Sequence, residues 1–377
     1  MAAGELEQAS DAALTGAVAE APAPIRVAWV AGPDTFGRYG RVLEPLAVGL
    51  MDELVELTCL CPPGADNQPA LPMPCQIIPC PPRGWLGYGD SAVERLGEAL
   101  RRWKVELVHA VDASAAELAR KVAAARNVPY LVSSFDLADA RRLAHGAELA
   151  DLTLAGSQPI AEALASRRRG DGPIRVFRPG VYLVRHATCF QEPDHSVAVV
   201  AAGRLDNFRA FDAVLRCLAE LASKKFDCVL FVVGSGPVER RLRRQAVRLA
   251  LGQRITFVDA LPTRQLARIF QDADVYINPA PMKSIDMHSL LAMAAGVPVL
   301  SAGPSGANDF LRDGQTVRSF TCGSSAELTE RLAGIIEDRA GARALAESAL
   351  EYLRQNHSPA GNVAALAGMY REVLQKQ

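Results

Sequence analysis

Short apolar runs rich in β-forming residues alternate with helical patterns along most of this chain. The first unit is the run Ile25 to Gly32 (IRVAWVAG), followed by the loop PDTFGRYGR, which carries Gly37 and Gly40, and by the helical pattern VLEPLAVGLMDE. Parallel strands need a crossover of a dozen or more residues, usually a helix. The alternation therefore predicts βαβ units, a parallel sheet with helices on both faces, and an α/β fold class.

The alternation occurs in two series with an aperiodic segment between them. Residues 25–184 form the first series, 185–195 the expected interdomain linker, and 196–355 the second series. The length of 377 residues also favours two domains. The amphipathic segment 356–377 is expected to cross back to the first domain. We therefore predict two doubly wound, Rossmann-like domains facing a central cleft, with function at the carboxyl ends of the strands.

Composition and charge restrict the classes of protein to consider. Hydrophobic residues make up 49% and charged residues 22%, the balance of a folded globular chain, and the net charge of −1 excludes a general attraction to nucleic acid. The run RRRGDG from Arg167 is better explained as a solvated helix end than as a phosphate contact. Residues 1–24 lack the pattern of a signal peptide and predict a disordered tail. We expect a cytoplasmic protein, and leave a peripheral membrane or protein partner open.

Cysteine and histidine spacing argues against a metal site. The eight cysteines match no zinc motif, and the six histidines show no HExxH or other paired spacing. No Walker loop, GxSxG elbow or first-strand GxGxxG is present, which excludes ATPase, serine hydrolase and dehydrogenase interpretations. No cofactor is expected.

Several candidate residues follow strand ends. Arg204 comes after a strand and Arg209 at or before the next helix, where a helix N-terminus favours an anion such as a diphosphate. Two solvated loop arginines are an equally good interpretation. Gly234, in VVGSGP, permits close approach to a ligand, but a tight turn also requires it and is favoured. Gly37 and Gly40 have the same two interpretations.

Two further loops carry polar residues. In PSGANDFL, Gly306 could begin a run of backbone N–H groups that binds phosphate. Helix capping is the favoured role of Asp309. In NPAPMKSIDMHSLL, the residues Lys283, Asp286 and His288 precede or begin a helix that faces the cleft. Their ligand-binding role competes with a plain one, in which Asp286 caps the helix and His288 is exposed on it.

The motifs together resemble the retaining GT-B glycosyltransferases of family 4. The resemblance covers roughly residues 25 to 377 and rests on motifs in the order and spacing of that family: VHAVD, NVPYLVSSFDL, ADLTLAGS, VFRPGV, GRLDNFR, VGSGPVERRL, LLAMAAGVPVLSAG and DFLRDGQTV. It implies a nucleotide-diphospho-sugar donor on the second domain, an unknown acceptor on the first, and metal-independent transfer with retention. Arg204 and Arg209 match the family's Arg and Lys that neutralise the donor phosphates.

The rest of the site departs from the family. Two glutamates separated by seven residues, which hold the sugar and the ribose, are replaced by Lys283 and Leu291. The family's His beside the transferred sugar is Phe135, which leaves Asp136 as the catalytic candidate, and its Asn-Gly step is Pro179-Gly180. A carboxylate accepts hydrogen bonds from hydroxyls, whereas Lys only donates them and Leu does neither.

Two explanations of these departures remain open. In the first, the protein is a transferase with an altered site, where Lys283 adds a phosphate cation and Ser284, Asp286 or His288 contacts the donor. In the second, transfer is lost, and the protein is a regulatory subunit that binds an anion, a nucleotide or another protein.

Overall fold

The computed structural model describes residues 23–63, 75–81, 88–145, 150–167, 172–191, 195–261, 263–303 and 306–376. These residues form two sheets in which every pair of neighbouring strands is parallel. The predicted α/β class with two doubly wound domains is therefore confirmed.

The first sheet has seven strands in the order β3-β2-β1-β4-β5-β6-β7. The strand order reverses between β1 and β4. The loops that follow these two strands therefore run in opposite directions and leave a crevice at the carboxyl edge of the sheet. The strands are β1 (Ile25–Val30), β2 (Val55–Cys61), β3 (Gln76–Pro79), β4 (Leu107–Ala110), β5 (Tyr130–Ser134), β6 (Leu152–Ala155) and β7 (Ile174–Val176). The helices are α1 (Thr35–Asp52), α2 (Asp90–Arg102), α3 (Ala116–Arg126), α4 (Leu137–His145) and α5 (Gln158–Ala165).

The second sheet has six strands in the order β10-β9-β8-β11-β12-β13, with its switch point between β8 and β11. The strands are β8 (Val197–Ala202), β9 (Cys228–Val233), β10 (Ile255–Val258), β11 (Val275–Asn278), β12 (Val299–Ala302) and β13 (Arg318–Phe320). The helices that follow β8 are α6 (Phe208–Ser223), α7 (Glu239–Arg248), α8 (Thr263–Gln271), α9 (Met287–Ala294), α10 (Ser325–Glu337), α11 (Arg339–Asn356) and α12 (Pro359–Gln375).

The start of α1 corrects the predicted loop around Gly37 and Gly40. The helix begins at Thr35, so both glycines lie within it, whereas a loop was predicted up to Arg41. Tertiary packing explains the difference, because Phe36 and Tyr39 are buried on the same face as the apolar residues that follow. The backbone at Gly37 and Gly40 is therefore helical, and the loop interpretation that made them ligand-binding candidates is wrong.

Helix α12 joins the end of the chain to the first sheet. It packs against α1, and the hydroxyl of its buried Tyr370 lies 2.9 Å from Trp29 Nε1 and 2.7 Å from His109 Nδ1. His109 Nε2 lies 2.9 Å from Ser133 Oγ. Since an indole N–H can only donate, Tyr370 accepts from Trp29 and donates to His109, which is then the neutral tautomer that donates through Nε2. A buried hydrogen-bonded chain therefore ties α12 to β1, β4 and β5.

The Tyr370→Phe variant should lower the free energy of unfolding by about 1–3 kcal/mol, because it leaves buried polar atoms of Trp29 and His109 without partners. Urea unfolding would measure the loss. Tyr182→Phe is the matched control, since Tyr182 is exposed and its hydroxyl needs no protein partner. Equal stability of the two variants would contradict the assigned chain of hydrogen bonds.

Stability should also depend on pH through His109. Burial lowers the pKa of His109 to about 3, below the value of about 6.5 in an unfolded chain. The unfolded state therefore binds more protons between these values, and this histidine's contribution to stability falls by about 1.4 kcal/mol per pH unit as pH drops below about 6.5. His109→Gln should show a shallower loss in acid than the parent, whereas a variant of the exposed His186 should not.

Candidate functional site

A pocket of about 240 Å³ lies at the carboxyl edge of the second sheet. The ends of β8, β9 and β10 form one wall, and α8 and α9 form the other. It is lined by Ala202, Gly203, Arg204, Val233, Gly234, Ser235, Ala260, Leu261, Leu266 and His288. Arg204 and His288 are the ionisable residues in this lining, so the pocket combines apolar walls with a few polar groups, as small-molecule sites do.

The structure brings Arg204 to the pocket, whereas Arg209 lies on the next helix and is not among the residues that line the pocket. The Arg204 side chain is 80% exposed and its Nε lies 3.2 Å from an Asp206 carboxylate oxygen, an exposed ion pair that costs little to replace. Arg209 is in the first turn of α6 and lies against Gly323, where an added Cβ would meet its Nε at 2.8 Å. Both cations lie near the N-terminus of α6, a position that favours an anion.

Gly234 is required by the packing of two turns. Its φ is +149°, and a Cβ there would lie 1.9 Å from the carbonyl oxygen of Gly203. The turn after β9 thus crosses directly over the turn after β8. This close approach explains why residue 234 is a glycine, with no need for a bound ligand. The same crossing forms part of the pocket wall.

Asp286 is a structural cap in this conformation. The residue is 1% exposed, and its carboxylate accepts from the backbone N–H groups of His288 and Ser289, each at 3.1 Å, and from the side chain of Asn278 at 2.8 Å. Its own N–H donates to Asn308 Oδ1 at 2.7 Å. The capping interpretation of Asp286 is confirmed, and its carboxylate oxygens are engaged within the protein, so a ligand contact of Asp286 stays a prediction.

His288 is half-buried and lines the pocket, so its interpretation as an exposed helix residue is wrong. Its ring hydrogen-bonds to the Ala202 carbonyl, and burial lowers its pKa even though the nearby Asp286 carboxylate raises it. The imidazole is therefore neutral at physiological pH. A neutral ring that donates through one nitrogen can accept through the other.

Backbone hydrogen bonds connect the two domains at Asp136 and Ser284. These two residues form an isolated antiparallel bridge, in which Ile285 N donates to Phe135 O at 2.8 Å and Leu137 N donates to Lys283 O at 2.9 Å. The Phe135 and Ile285 side chains are buried in one apolar cluster shared by both sheets. Phe135, which stands where the family resemblance predicts a histidine, is thus buried in the apolar contact between the domains.

The residues next to the bridge between Asp136 and Ser284 differ in their exposure and in their partners. The Asp136 carboxylate accepts from Ala138 N at 2.7 Å, at the start of α4, and lies 3.9 Å from an Arg38 guanidinium nitrogen. Lys283 is exposed. Leu291 is buried and lines a second cavity of about 510 Å³, together with Arg41 of α1, the segment 181–184 before the linker, and residues of α8.

A second group of polar contacts crosses the cleft beside the first. Ser157 Oγ donates to Ala307 O at 2.6 Å, and the Asp309 carboxylate accepts from Arg178 at 2.7 Å and from Gln158 N at 3.2 Å. Asp309 therefore accepts the first backbone N–H of α5, a helix of the first domain whose N-cap residue is Ser157. Gly306 faces Leu137 across the cleft. Sequence reasoning missed Ser157, whose only signal is its N-cap position before α5.

The described ranges contain no group of three or more His, Cys, Asp or Glu side chains arranged to hold a metal ion. Among the helices in those ranges, none has the length and apolarity needed to span a membrane. Ser305 and residues 168–171 of the RRRGDG run lie outside the described residues.

Two family profiles match the chain, one over each domain. Glycosyltransferase Family 4 matches residues 40–185, and Glycosyl transferases group 1 matches residues 196–338. The chain belongs to the group 1 glycosyltransferases of family 4.

Known glycosyltransferases are similar in sequence over part of their length. The D-inositol 3-phosphate glycosyltransferase of Nocardia farcinica is 27% identical over 266 residues, which are 66% of this chain and 58% of that protein. The protein of the same name from Corynebacterium efficiens is 27% identical over 186 residues, 48% of this chain and 44% of that protein. The chain thus spans about half the length of the curated relatives it matches.

Solved glycosyltransferase structures share the fold. Anabaena HepE, crystallised with UDP and glucose, has a TM-score of 0.73 at 17% identity, over 92% of this chain and 100% of that chain. Sucrose-phosphate synthase from Thermosynechococcus elongatus has a TM-score of 0.74 at 18% identity, over 94% of this chain and 100% of that chain. The two facing parallel-sheet domains are therefore the GT-B fold.

Replacing Gly234 should test the crossing of the two turns in the second domain. Gly234→Ala should lower the free energy of unfolding by about 3 kcal/mol, because the new methyl group meets backbone that cannot rotate away. Gly334→Ala is the matched control: it lies inside α10 with open space around it, and should raise stability by about 0.5–1 kcal/mol. Chemical denaturation measures both, and a neutral Gly234→Ala would refute the tight crossing.

Proposed function

We propose that this glycosyltransferase binds a nucleotide-diphospho-sugar in the pocket beside Arg204 and transfers the sugar, with retention, to an acceptor on the first domain. The observation that carries the proposal is the position of Arg204 at the mouth of a pocket formed by three strand ends, with Arg209 on the adjacent helix N-terminus. The complex of Anabaena HepE with UDP and glucose supports the same class of donor.

The two arginines would act on the charge that develops as the sugar leaves. When the bond between the sugar and the diphosphate breaks, negative charge grows on the diphosphate, and fixed cations stabilise it more than they stabilise the intact donor. The diphosphate itself would accept the acceptor's proton, as the family resemblance implies. No metal or cofactor enters this proposal, and a cytoplasmic location belongs to it as well.

The sugar half of the site must differ from that of the family. Lys283 can donate but not accept, Leu291 offers no polar atom, and Asp286 has its oxygens engaged. His288 and the Ser235 hydroxyl are the side-chain acceptors in the lining of the pocket. Transfer would also require Phe135 and Ile285 to separate, because they fill the space between the domains. The proposal therefore includes opening of the cross-cleft contact.

A second function is favoured by that same apolar contact. If Phe135 and Ile285 stay together, the chain would bind a nucleotide or another anion without transferring sugar, and would act as a regulatory or protein-interaction subunit. The backbone bridge between Asp136 and Ser284 favours this alternative, because the donor loop is then held by the acceptor domain.

Calorimetry with UDP, GDP and ADP, followed by donor hydrolysis and transfer assays with their sugars, separates the two functions. Binding with turnover supports the transferase, and binding without turnover supports the regulatory subunit. If no nucleotide binds and a protein partner is captured stably, both the pocket assignment and the transferase are wrong.

Removing Arg204 gives the sharpest test of the pocket. Arg204→Ala should weaken binding of the preferred nucleoside diphosphate about 10- to 100-fold, since a charge-assisted hydrogen bond contributes about 1.5–3 kcal/mol. Arg248→Ala removes the same charge from the far end of α7 in the same domain and should change the affinity little. Titration calorimetry measures both, and unchanged affinity in Arg204→Ala would show that the pocket does not hold the phosphates.

A further inference from the structure

The guanidinium of Arg241 lies over the ring of Phe208, with its central carbon 3.6 Å from the ring centre. This is the shortest of the five cation–π contacts among the described residues. Phe208 is the first residue of α6 and stands in the sequence between Arg204 and Arg209, the two cations of the proposed donor site. Arg241, in the first turn of α7, is thus brought to the same loop from a separate helix.

Backbone contacts fix the start of α7 against the loop that carries Arg204. The backbone N–H of Val238 donates to Leu205 O at 3.1 Å, and a Cβ on Gly236 would lie 2.2 Å from the same oxygen. The turn that leads into α7 is therefore packed directly on this loop. Since Arg241 follows Val238 by one turn of helix, its position relative to Arg204 is set by the backbone as well as by the ring beneath it.

The side chain of Arg241 is exposed and forms no hydrogen bond or ion pair with any residue that the structure describes. A guanidinium that stacks on an aromatic ring keeps its N–H donors available, because they lie in its own plane. The stack also limits the rotamers that the side chain must give up when it binds. Arg241 therefore presents oriented donors, and phosphate oxygens are among the acceptors that such a fork pairs with best.

The charges around this loop leave a positive surplus. Each carboxylate of residues 204–212 and 238–243 forms an ion pair with an arginine: Asp206 with Arg204 at 3.2 Å, Asp212 with Arg216 at 2.8 Å, and Glu239 with Arg243 at 2.9 Å. The two segments contain five arginines and three carboxylates. Their cations without an ion pair to a described residue are Arg209, Arg240 and Arg241. An anion that approaches Arg204 therefore meets further positive charge, although the chain as a whole has a net charge of −1.

We propose that Arg241 is a third cation of the donor site, which binds a phosphate of the nucleotide-diphospho-sugar and selects diphosphates over monophosphates. The inference rests on the proposed function, because it takes the pocket beside Arg204 as the nucleotide site. The stack on Phe208 holds Arg241 beside the loop of Arg204, so that both guanidiniums bind one diphosphate. A monophosphate has one phosphate fewer and less negative charge, so it gains less from the additional cation.

Titration calorimetry with UDP, GDP and ADP, and with the monophosphate of the nucleoside that binds best, tests the inference. Arg241→Gln should weaken binding of the diphosphate about 10-fold, as the loss of one charge-assisted contact does, and change binding of the monophosphate little. Arg241→Lys keeps the charge without the planar fork and should recover part of the loss. Arg248→Gln removes the same charge from the last turn of α7 and should bind both nucleotides as the parent does.

Removing the ring under Arg241 gives a second readout. Phe208→Leu keeps an apolar side chain against the core of the second domain and should also weaken binding of the diphosphate more than binding of the monophosphate. A purely structural role of Arg241 would lower the free energy of unfolding and leave the ratio of the two affinities unchanged. The inference alone is overturned if Arg204→Ala weakens diphosphate binding while Arg241→Gln leaves that ratio at the parent's value. If the parent binds none of these nucleotides, the proposed function is wrong and the inference falls with it.

Discussion

The backbone bridge between Asp136 and Ser284 is the contact on which the geometry of the candidate site depends. Its two hydrogen bonds, of 2.8 and 2.9 Å, hold the loop after β5 against the loop before α9. Because parallel strands bring their loops to one edge, the carboxyl edges of the two sheets can meet only through such loops. The bridge places Phe135 against Ile285 and leaves the small pocket on the far side of α9. The contact between the domains is therefore closed at Phe135 and Ile285, whereas the pocket that we propose for the nucleotide is open.

The fold was predictable because its signal is local and repeated. In the sequence, each βαβ unit is an apolar run followed by a segment with helical periodicity. Both domains contain several such units, which together predict parallel sheets. The errors occur where tertiary packing decides. Helix α1 starts at Thr35 because Phe36 and Tyr39 are buried, which outweighs the low helix propensity of two glycines. Strand β13 has three residues and was not predicted, since its identity depends on pairing with β12.

The candidate site was less predictable because its side chains are tied by contacts distant in sequence. The sequence pattern does not distinguish Asp286 from His288. In the structure, however, Asp286 is buried and accepts a hydrogen bond from Asn278, whereas His288 lines the pocket. Asp309 was expected to cap a helix, and its carboxylate accepts the Gln158 N–H at the start of α5, a helix of the other domain. A capping preference is local chemistry, whereas the choice of helix follows from how two domains meet. Arg204 was predictable because a strand end and a helix start specify its position.

The division of the site implies that nucleotide binding and sugar transfer can be separated energetically. The pocket beside Arg204 is open while the bridge is formed, so the proposed nucleoside diphosphate would displace only the exposed ion pair between Arg204 and Asp206. A sugar between the domains must displace Phe135 and Ile285 and break two backbone hydrogen bonds, each contributing about 1 kcal/mol. If opening costs only those about 2 kcal/mol, the competent state is populated about 3% of the time, and the affinity for the complete donor falls about 30-fold. Apolar packing adds to that cost. An acceptor or partner that binds the open state more tightly would therefore determine whether this glycosyltransferase turns over, because a ligand shifts such an equilibrium only by its difference in affinity for the two states.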